Sequence, residues 1–354
     1  MTSDSPTTVR PGEQLDQAAL QAYLSEHAPA VGQLTAIEQF PGGYSNLTYA
    51  LTTADGQAYV LRRPPAGAKA IKGGHDMGRE FWVLTLLQQA GYKQIPIPIT
   101  YCDDESVLGY PFYIMTRVAG VILRANMASK LNLLPETMHR LSHSMVDTLV
   151  SLHAIDVHQT GIQQLGKPDG YVQRQVAGWY TRYEASKTDD IPAIDALFHY
   201  LVDALPVSPP PTLLHNDFKY DNVILNPDFL PEVRAVLDWE MCTIGDPLMD
   251  VGTALSYWSE AGDSAFRRSF NLTHLPGNLT RQEFAQRYSE RSGRDVSNLL
   301  YYYIFGLFKN AVVMQQIYSR YHRGLTTDPR FAGLLAGVQA LSNDGLHSIE
   351  TGRF

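Results

Sequence analysis

The chain of 354 residues lacks most of the features that mark zinc-binding, secreted or membrane proteins. It contains only 2 cysteines, Cys102 and Cys242, whose separation matches no zinc-binding pattern and favours a reducing compartment. No segment approaches the roughly 18 consecutive apolar residues of a transmembrane helix. The first residues, MTSDSPTTVRPGEQ, lack the apolar core of a secretory signal. We therefore expect a soluble cytoplasmic protein.

Positive charge is also scarce. The 28 Lys and Arg residues stand against 36 Asp and Glu residues, and the net charge of -8 gives no support for nucleic-acid binding. Hydrophobic residues make up 44% of the chain and charged residues 18%, which is ordinary for a globular protein with a substantial core. The length allows one large domain or two lobes. Neither nucleic acid nor a membrane is an expected partner.

The first third of the sequence predicts a small antiparallel sheet with helices beside it. Short β-prone segments occur at 34–40, 47–53, 57–63, 98–103 and 111–118. The turn ADG joins the second and third of these and is typical of a hairpin. Apolar residues at helical spacing predict helices over 15–28 and 75–91.

From about residue 121 the pattern becomes mostly helical. A long amphipathic helix is predicted over 135–155, and a strand that ends in acidic residues over 232–240. Asp246 and Pro247 are typical of an N-cap followed by a first helical residue. The order predicts an α+β fold with an N-terminal nucleotide-binding lobe over 1–118 and a C-terminal catalytic and substrate-binding lobe over 119–354.

One polar loop interrupts the apolar pattern, in LLHNDFKYDNVIL (213–225). It places Asp217 five residues before Asn222, and Asp238 follows sixteen residues later at the predicted strand end. Two carboxylates and an amide oxygen suit a divalent cation, and one carboxylate remains to position a hydroxyl. The alternative is that Asp217 and Asn222 only cap turns.

A second candidate site lies in the predicted sheet. The Gly-rich turn in FPGGYSNLTY could bring backbone N–H groups to phosphate oxygens, or it could be an ordinary hairpin turn. Arg62 on the third strand and Glu80 on the following helix could form the ion pair that holds nucleotide phosphates.

In this order, the Gly-rich turn, YVLRR, GREF, the H-x-D-x-x-x-x-N loop, D-W-E and G-D-P-x-x-D resemble the protein-kinase-like superfamily. The closer resemblance is to its aminoglycoside phosphotransferase and choline kinase branch, and it covers about Leu34 to Trp258. It implies a bilobal protein-kinase-like fold, with a small antiparallel β N-lobe and a larger, mostly helical C-lobe. It also implies ATP and Mg²⁺ as cofactors.

The resemblance assigns roles in the polar loop. Asp217 matches the catalytic aspartate, and Asn222 and Asp238 match the magnesium ligands. His215 is interpreted as structural, and Lys219 becomes a candidate for neutralising the transferring phosphate. Asp250 is expected to brace this loop.

The resemblance also assigns a nucleotide site. The phosphate lid is formed by Gly42, Gly43, Tyr44, Ser45 and Asn46. Arg62 and Glu80 form the phosphate-binding pair. The hinge that binds adenine through backbone groups contains Met115, Thr116 and Val118, although Met115 could equally be a core residue.

Two departures from the family pattern are informative. Arg62 stands where lysine is usual, so Lys69 or Lys72 could supply the phosphate-binding cation instead. Asn216 stands where regulated protein kinases carry arginine, and only seven residues separate Asp238 from Asp246. No long activation segment fits there, so a small-molecule substrate is expected rather than a protein.

The substrate is predicted from charge and from a narrower resemblance. Residues 251–354 contain 11 Lys and Arg against 8 Asp and Glu, and a basic rim of Arg267, Arg268, Arg320 and Arg323 favours an anionic substrate. The aromatic run YYYIFGLF (301–308) could form a choline box or belong to the core. YVLRRPPAG and HDMGREF also resemble phosphotransferase-like domains associated with acyl-CoA dehydrogenases, which implies a hydroxyacyl-CoA. Aminoglycoside or amino-alcohol phosphotransfer, and a nucleotide-binding scaffold without turnover, remain alternatives.

Overall fold

The computed structural model describes residues 5–41, 46–65, 75–125, 133–158, 161–326 and 328–354. The chain divides into two compact units. The first unit contains Met1–Ile122, His158–Ile162 and Asn222–Cys242, and the second contains Leu123–Val157, Gln163–Asp221 and Thr243–Phe354. The lobe boundary at 118/119 stays a prediction, since compactness alone does not define a functional domain.

The first unit is built on a five-stranded antiparallel sheet in the order β1-β2-β3-β5-β4. Its strands are β1 (Leu34–Gln39), β2 (Leu47–Thr53), β3 (Ala58–Arg63), β4 (Pro98–Cys102) and β5 (Phe112–Thr116). Each strand overlaps a predicted β-prone segment. The small antiparallel sheet of the α+β prediction is therefore confirmed.

Helices of the first unit cover both faces of this sheet. They are α1 (Gln17–His27), α2 (Met77–Gln89) and the short α3 (Glu105–Leu108). Leu20 and Leu24 of α1 belong to the same buried cluster as Phe112 and Ile114 of β5. Tyr113 points to the other face, where Phe81 of α2 contacts its ring.

A short hairpin also belongs to the first unit, formed by β7 (Val223–Leu225) and β8 (Val233–Val236). The predicted strand over 232–240 was too long. The extended backbone ends because Asp238 adopts φ 67°, in the left-handed region, and Trp239–Met241 forms a 3₁₀ turn. Trp239 Nε1 closes this turn by donating to the Val236 carbonyl at 3.0 Å.

The second unit is mostly helical. Its helices are α4 (Pro135–His153), α5 (Tyr171–Ser186), α6 (Pro192–Asp203), α7 (Pro247–Tyr257), α8 (Ala265–Arg268), α9 (Arg281–Ser292), α10 (Leu299–His322) and α11 (Leu334–Thr351). A two-stranded ladder joins β6 (Thr212–Leu214) to β9 (Thr243–Gly245). Across the described part of the chain, no helix is both long and apolar enough to span a bilayer.

Helix α7 begins as predicted. The Asp246 carboxylate accepts a hydrogen bond from the Leu248 N–H at 2.9 Å, and Pro247 is the first helical residue. Helix α7 packs very closely on α10, because a Cβ on Gly306 would lie 2.5 Å from the Gly252 carbonyl oxygen. The aromatic run over 301–308 is buried in this packing, so its core interpretation is confirmed.

Candidate active site

A charged cluster occupies the α2 face of the sheet in the first unit. Arg62 forms the predicted ion pair with Glu80, and its Nη2 lies 3.3 Å from Asp238 Oδ1. Strand alternation directs Arg63 to the opposite face, where its Nε donates to the Tyr49 hydroxyl at 3.1 Å. Arg62 is therefore the β3 cation that meets acidic side chains.

Burial and charge act together in this cluster. Burial alone would lower the pKa of Arg62, but Glu80 and other nearby acidic groups raise it well above its ordinary value, so the guanidinium stays charged. Burial raises the pKa of Glu80, and Arg62 opposes that effect. Two carboxylates share one guanidinium, so the cluster carries excess negative charge when Glu80 and Asp238 are ionised. A divalent cation would offset this excess.

Asn222 and Asp238 lie at the same end of the β7–β8 hairpin. Val223 pairs with Val236, and one step further the Leu237 N–H donates to the Asn222 carbonyl at 2.8 Å. Asp238 is the more accessible of the two, with 32% of its side chain exposed. Within the described ranges, no group of three or more His, Cys, Asp or Glu residues is arranged to hold a metal. One carboxylate and one amide oxygen nevertheless fit Mg²⁺, which usually arrives with phosphates and keeps several waters.

Of the five predicted lid residues, only Asn46 is described; Gly42, Gly43, Tyr44 and Ser45 lie outside the described residues, as do Lys69 and Lys72. The Asn46 side chain is buried and donates to Glu240 Oε2 at 3.3 Å. His75 Nδ1 lies 2.9 Å from Asn46 Oδ1, which can only accept. The Asn46 side chain is thus held by Glu240, a residue to which the sequence analysis gave no role.

The predicted hinge lies at the end of β5. Met115 is buried and faces Val60 and Pro98 in the neighbouring strands. The Thr116 N–H donates to the Ile97 carbonyl at 2.9 Å, so this amide is used by the sheet. Val118 is half-buried. The proposed adenine contacts of Met115, Thr116 and Val118 stay predictions.

The polar loop places a second cluster of charged side chains, around Asp217 and Lys219, in the second unit. Both Asp217 carboxylate oxygens lie close to Lys219 Nζ, at 2.9 and 2.8 Å. The Lys219 ammonium also lies 4.7 Å from the centre of the Tyr257 ring. Burial acts to raise the pKa of Asp217, but the charges of Lys219 and Lys309 outweigh it and hold the pKa below its ordinary value. Asp217 is therefore ionised at neutral pH.

Asp250 braces this loop, as expected. Its Oδ2 accepts from the His215 N–H at 2.6 Å, and its Oδ1 accepts from the Asn216 N–H at 2.8 Å. His153 Nε2 lies 3.2 Å from the same carboxylate. His215 Nδ1 accepts the Asp217 N–H at 3.2 Å, which gives His215 the structural role predicted for it.

Sequence reasoning missed Lys309 on α10. Its side chain is buried, and Nζ donates to the Asn216 carbonyl at 2.5 Å. Its only signal was a lone lysine in the apolar run LLYYYIFGLFKNAVVM, which reads locally as a core helix.

The predicted basic rim was wrong for Arg267. Only 2% of this residue is exposed, and its Nη1 donates to the Tyr303 hydroxyl at 3.0 Å and lies 3.3 Å from Asp344. The short helix α8 directs it towards α10 and α11, where Tyr303 and Asp344 lie. The other three members of the rim, Arg268, Arg320 and Arg323, are exposed.

Comparison with known proteins identifies the class. The model of the "Phosphotransferase enzyme family" matches residues 36–284, and the chain belongs to this family. A crystal structure from Ralstonia eutropha, of a candidate aminoglycoside phosphotransferase, has a TM-score of 0.79 and 28% identity, over 96% of this chain and 99% of the other. The ternary complex of an aminoglycoside phosphotransferase with streptomycin and ATP is similar in fold, with a TM-score of 0.55 and 17% identity over 85% and 90% of the two chains. The fold is the kinase-like α+β fold of the aminoglycoside phosphotransferases.

The chain also resembles part of a longer protein. Acyl-CoA dehydrogenase family member 11 of Rattus norvegicus is 34% identical over 346 residues, which cover 96% of this chain and 44% of the rat protein. The chain therefore spans less than half the length of this curated relative.

Proposed function

We propose that this phosphotransferase is an ATP-dependent small-molecule kinase that transfers the γ-phosphoryl group to a substrate hydroxyl. The observation that carries the proposal is the Asp217 carboxylate, kept ionised by Lys219 and Lys309 and placed on a backbone that Asp250 holds. An ionised carboxylate on a fixed backbone is what the acceptor hydroxyl of a phosphoryl transfer requires. The similarity in fold to an ATP complex supports ATP as the donor.

In this reaction the acceptor oxygen forms a bond to the γ-phosphorus as the bond to the ADP oxygen breaks. Asp217 orients the hydroxyl and receives its proton. Lys219 leaves its ion pair with Asp217 far enough to contact the transferring phosphoryl group. Catalysis of this kind depends on positioning and charge neutralisation rather than on a covalent intermediate.

The first unit supplies the nucleotide groups. Arg62, held by Glu80, binds phosphate oxygens, and the predicted lid of Gly42, Gly43, Tyr44, Ser45 and Asn46 supplies backbone N–H groups to them. Asn222 and Asp238 would hold Mg²⁺, which neutralises charge on the nucleotide phosphates. Adenine binds the backbone at Thr116 and Val118.

We assign the acceptor to the hydroxyacyl-CoA class. The similarity to acyl-CoA dehydrogenase family member 11 supports this choice, because the name of that relative specifies acyl-CoA. The CoA moiety is strongly anionic and suits the exposed guanidinium groups of Arg268, Arg320 and Arg323. With seven residues between Asp238 and Asp246, a protein substrate is not expected.

The test is a panel of acceptors with ATP and Mg²⁺. Hydroxyacyl-CoAs, aminoglycosides and amino alcohols such as choline are each incubated with the chain, and ADP and the phosphorylated product are measured by mass spectrometry. The proposal is supported if the wild type phosphorylates a hydroxyacyl-CoA and Asp217→Asn does not. Transfer only to an aminoglycoside or an amino alcohol would reassign the substrate class. ATP binding without transfer to any acceptor would make the chain a nucleotide-binding scaffold.

A further inference from the structure

Helix α10 buries a lysine in an otherwise apolar stretch. Lys309 is 3% exposed, and its neighbours Phe308 and Ala311 are fully buried. Removing an ammonium group from water is costly unless it is hydrogen-bonded or paired. The contacts that offset the cost of burying the Lys309 ammonium therefore indicate what this residue does.

These contacts lead to the polar loop of the second unit. Lys309 Nζ donates to the Asn216 carbonyl at 2.5 Å and lies 5.8 Å from the centre of the Trp179 ring on α5. Asp217 of the loop and Asp250 of α7 attract the ammonium electrostatically, whereas Lys219 of the loop and Arg182 of α5 repel it.

Asn216 is held at three points. Its N–H donates to Asp250 Oδ1 at 2.8 Å, its side-chain oxygen accepts from the Tyr171 hydroxyl at 3.3 Å, and its carbonyl accepts from Lys309. The residue adopts φ 65°, in the left-handed region that side chains other than glycine rarely adopt. Such a conformation persists where surrounding contacts enforce it. Because Asp217 is the next residue, its direction depends on this peptide.

The two charged groups that hold the Asn216 peptide come from one tightly packed pair of helices. Asp250 lies on α7 two residues before Gly252, and Lys309 lies on α10 three residues after Gly306. The Gly252–Gly306 approach leaves no room for a Cβ, so the spacing of these helices is fixed. This fixed helix spacing also sets the distance between the Asp250 carboxylate and the Lys309 ammonium.

We propose that Lys309 is a positioning residue for phosphotransfer, whose ammonium holds the Asn216 carbonyl and provides a second positive charge beside Asp217. The catalytic part of this inference rests on the proposed function, whereas the holding of the loop does not. Burial lowers the pKa of Lys309 to about 8. The ammonium is therefore lost as the pH rises through this value, and activity falls with it.

Three variants separate the two roles. Lys309→Met removes both the donor and the charge, Lys309→Gln keeps a donor without the charge, and Lys309→Arg keeps both. Lys187→Met is the control, because this lysine of the same unit pairs with Asp190 and not with the loop. Hydrogen–deuterium exchange of the peptide 213–225 is measured without nucleotide, and kcat, nucleotide KM and the pH profile of kcat are measured on the same proteins.

In Lys309→Met we expect hydrogen exchange in the loop to become about 10-fold faster or more. We expect kcat to fall by a similar factor, since a hydrogen bond to a charged group contributes on this scale. Nucleotide KM stays within about twofold, because Arg62, Asn222 and Asp238 are unchanged. Lys309→Gln keeps the slow loop exchange of the wild type, but its kcat no longer falls above pH 8. Lys309→Arg has a higher kcat than Lys309→Met. Lys187→Met behaves as wild type in every measurement.

Wild-type exchange in folded Lys309→Met would overturn the inference. If Lys309→Met does not fold, an unaltered pH profile in Lys309→Gln overturns it instead. If Lys309→Met shows faster loop exchange but the wild type phosphorylates no acceptor, the proposed function is refuted. Lys309 then remains the residue that holds the loop.

Discussion

Arg62 of β3 and Glu80 of α2 form a buried ion pair, and the second guanidinium nitrogen of Arg62 lies 3.3 Å from Asp238. Lysine is usual at this position in the family that the sequence resembles. A planar guanidinium can meet two carboxylates at once, which a compact ammonium group does less well. The substitution thus links the ion pair on the sheet to the predicted metal ligand.

Arg62→Ala is expected to weaken both folding and nucleotide binding. The variant leaves Glu80 buried without its cation, and breaking a buried pair in this way costs about 3–5 kcal/mol in the free energy of unfolding. Nucleotide KM rises or kcat falls because the phosphate-binding cation is lost. Arg62→Lys should lose less of each. Denaturant unfolding and nucleotide titration measure these effects, with Arg10→Ala of the same unit as the control, because Arg10 is exposed and pairs with Glu13. Unchanged values for Arg62→Ala would reject the assignment.

Asp217→Asn is expected to abolish turnover while sparing nucleotide affinity. Removing a general base of this kind typically lowers kcat by about 10²- to 10⁴-fold. The proposed phosphate-binding residue Arg62 and the proposed metal ligands Asn222 and Asp238 are unaltered, so the nucleotide Kd stays near wild type. Single-turnover kinetics and calorimetric titration separate the two effects. A variant that still turns over at the wild-type rate is incompatible with the mechanism.

The sheet and the Arg62–Glu80 ion pair could be predicted because their signals are local. Short β-prone segments and a turn signal predicted the strands, and Arg62 and Glu80 fell 18 residues apart on a strand and the next helix. Lys309 and Arg267 could not be placed in this way. Lys309 contacts a residue 93 positions earlier in the chain, and the buried Arg267 pairs with Asp344, 77 positions later. Local patterns give the type of an element, whereas tertiary packing decides which polar residues it buries.

Asp250→Ala is expected to release the loop. The backbone N–H groups of His215 and Asn216 lose their acceptor, and each unsatisfied buried donor costs about 1–3 kcal/mol. Asp250→Asn keeps one acceptor oxygen and should lose less. Thermal unfolding and loop hydrogen exchange measure the effect. Equal exchange in Asp250→Ala and wild type would contradict the bracing role.

The contribution of Asp250 to the free energy of unfolding also depends on pH. Burial acts to raise the pKa of Asp250, but hydrogen bonds from the His153 side chain and the His215 N–H outweigh it and hold the pKa below its ordinary value. The folded state therefore binds this proton less readily than the unfolded chain. The stabilisation is complete above the ordinary carboxyl pKa and is lost as the pH falls through the lower folded value. The difference in unfolding free energy between wild type and Asp250→Asn should accordingly shrink in acid.

Lys309 predicts a second rise of stability with pH, in the alkaline range. Its pKa is about 8 in the folded chain against an ordinary value of 10.5, so between these values the unfolded chain binds more protons than the folded one. The contribution of Lys309 to the free energy of unfolding thus rises with pH in this window, by about 1.4 kcal/mol per pH unit. Wild type should gain stability relative to Lys309→Met between pH 8 and 10, whereas Lys187→Met shows no such change. Denaturant unfolding at each pH measures the difference, and a constant value would mean that folding does not lower the pKa of Lys309.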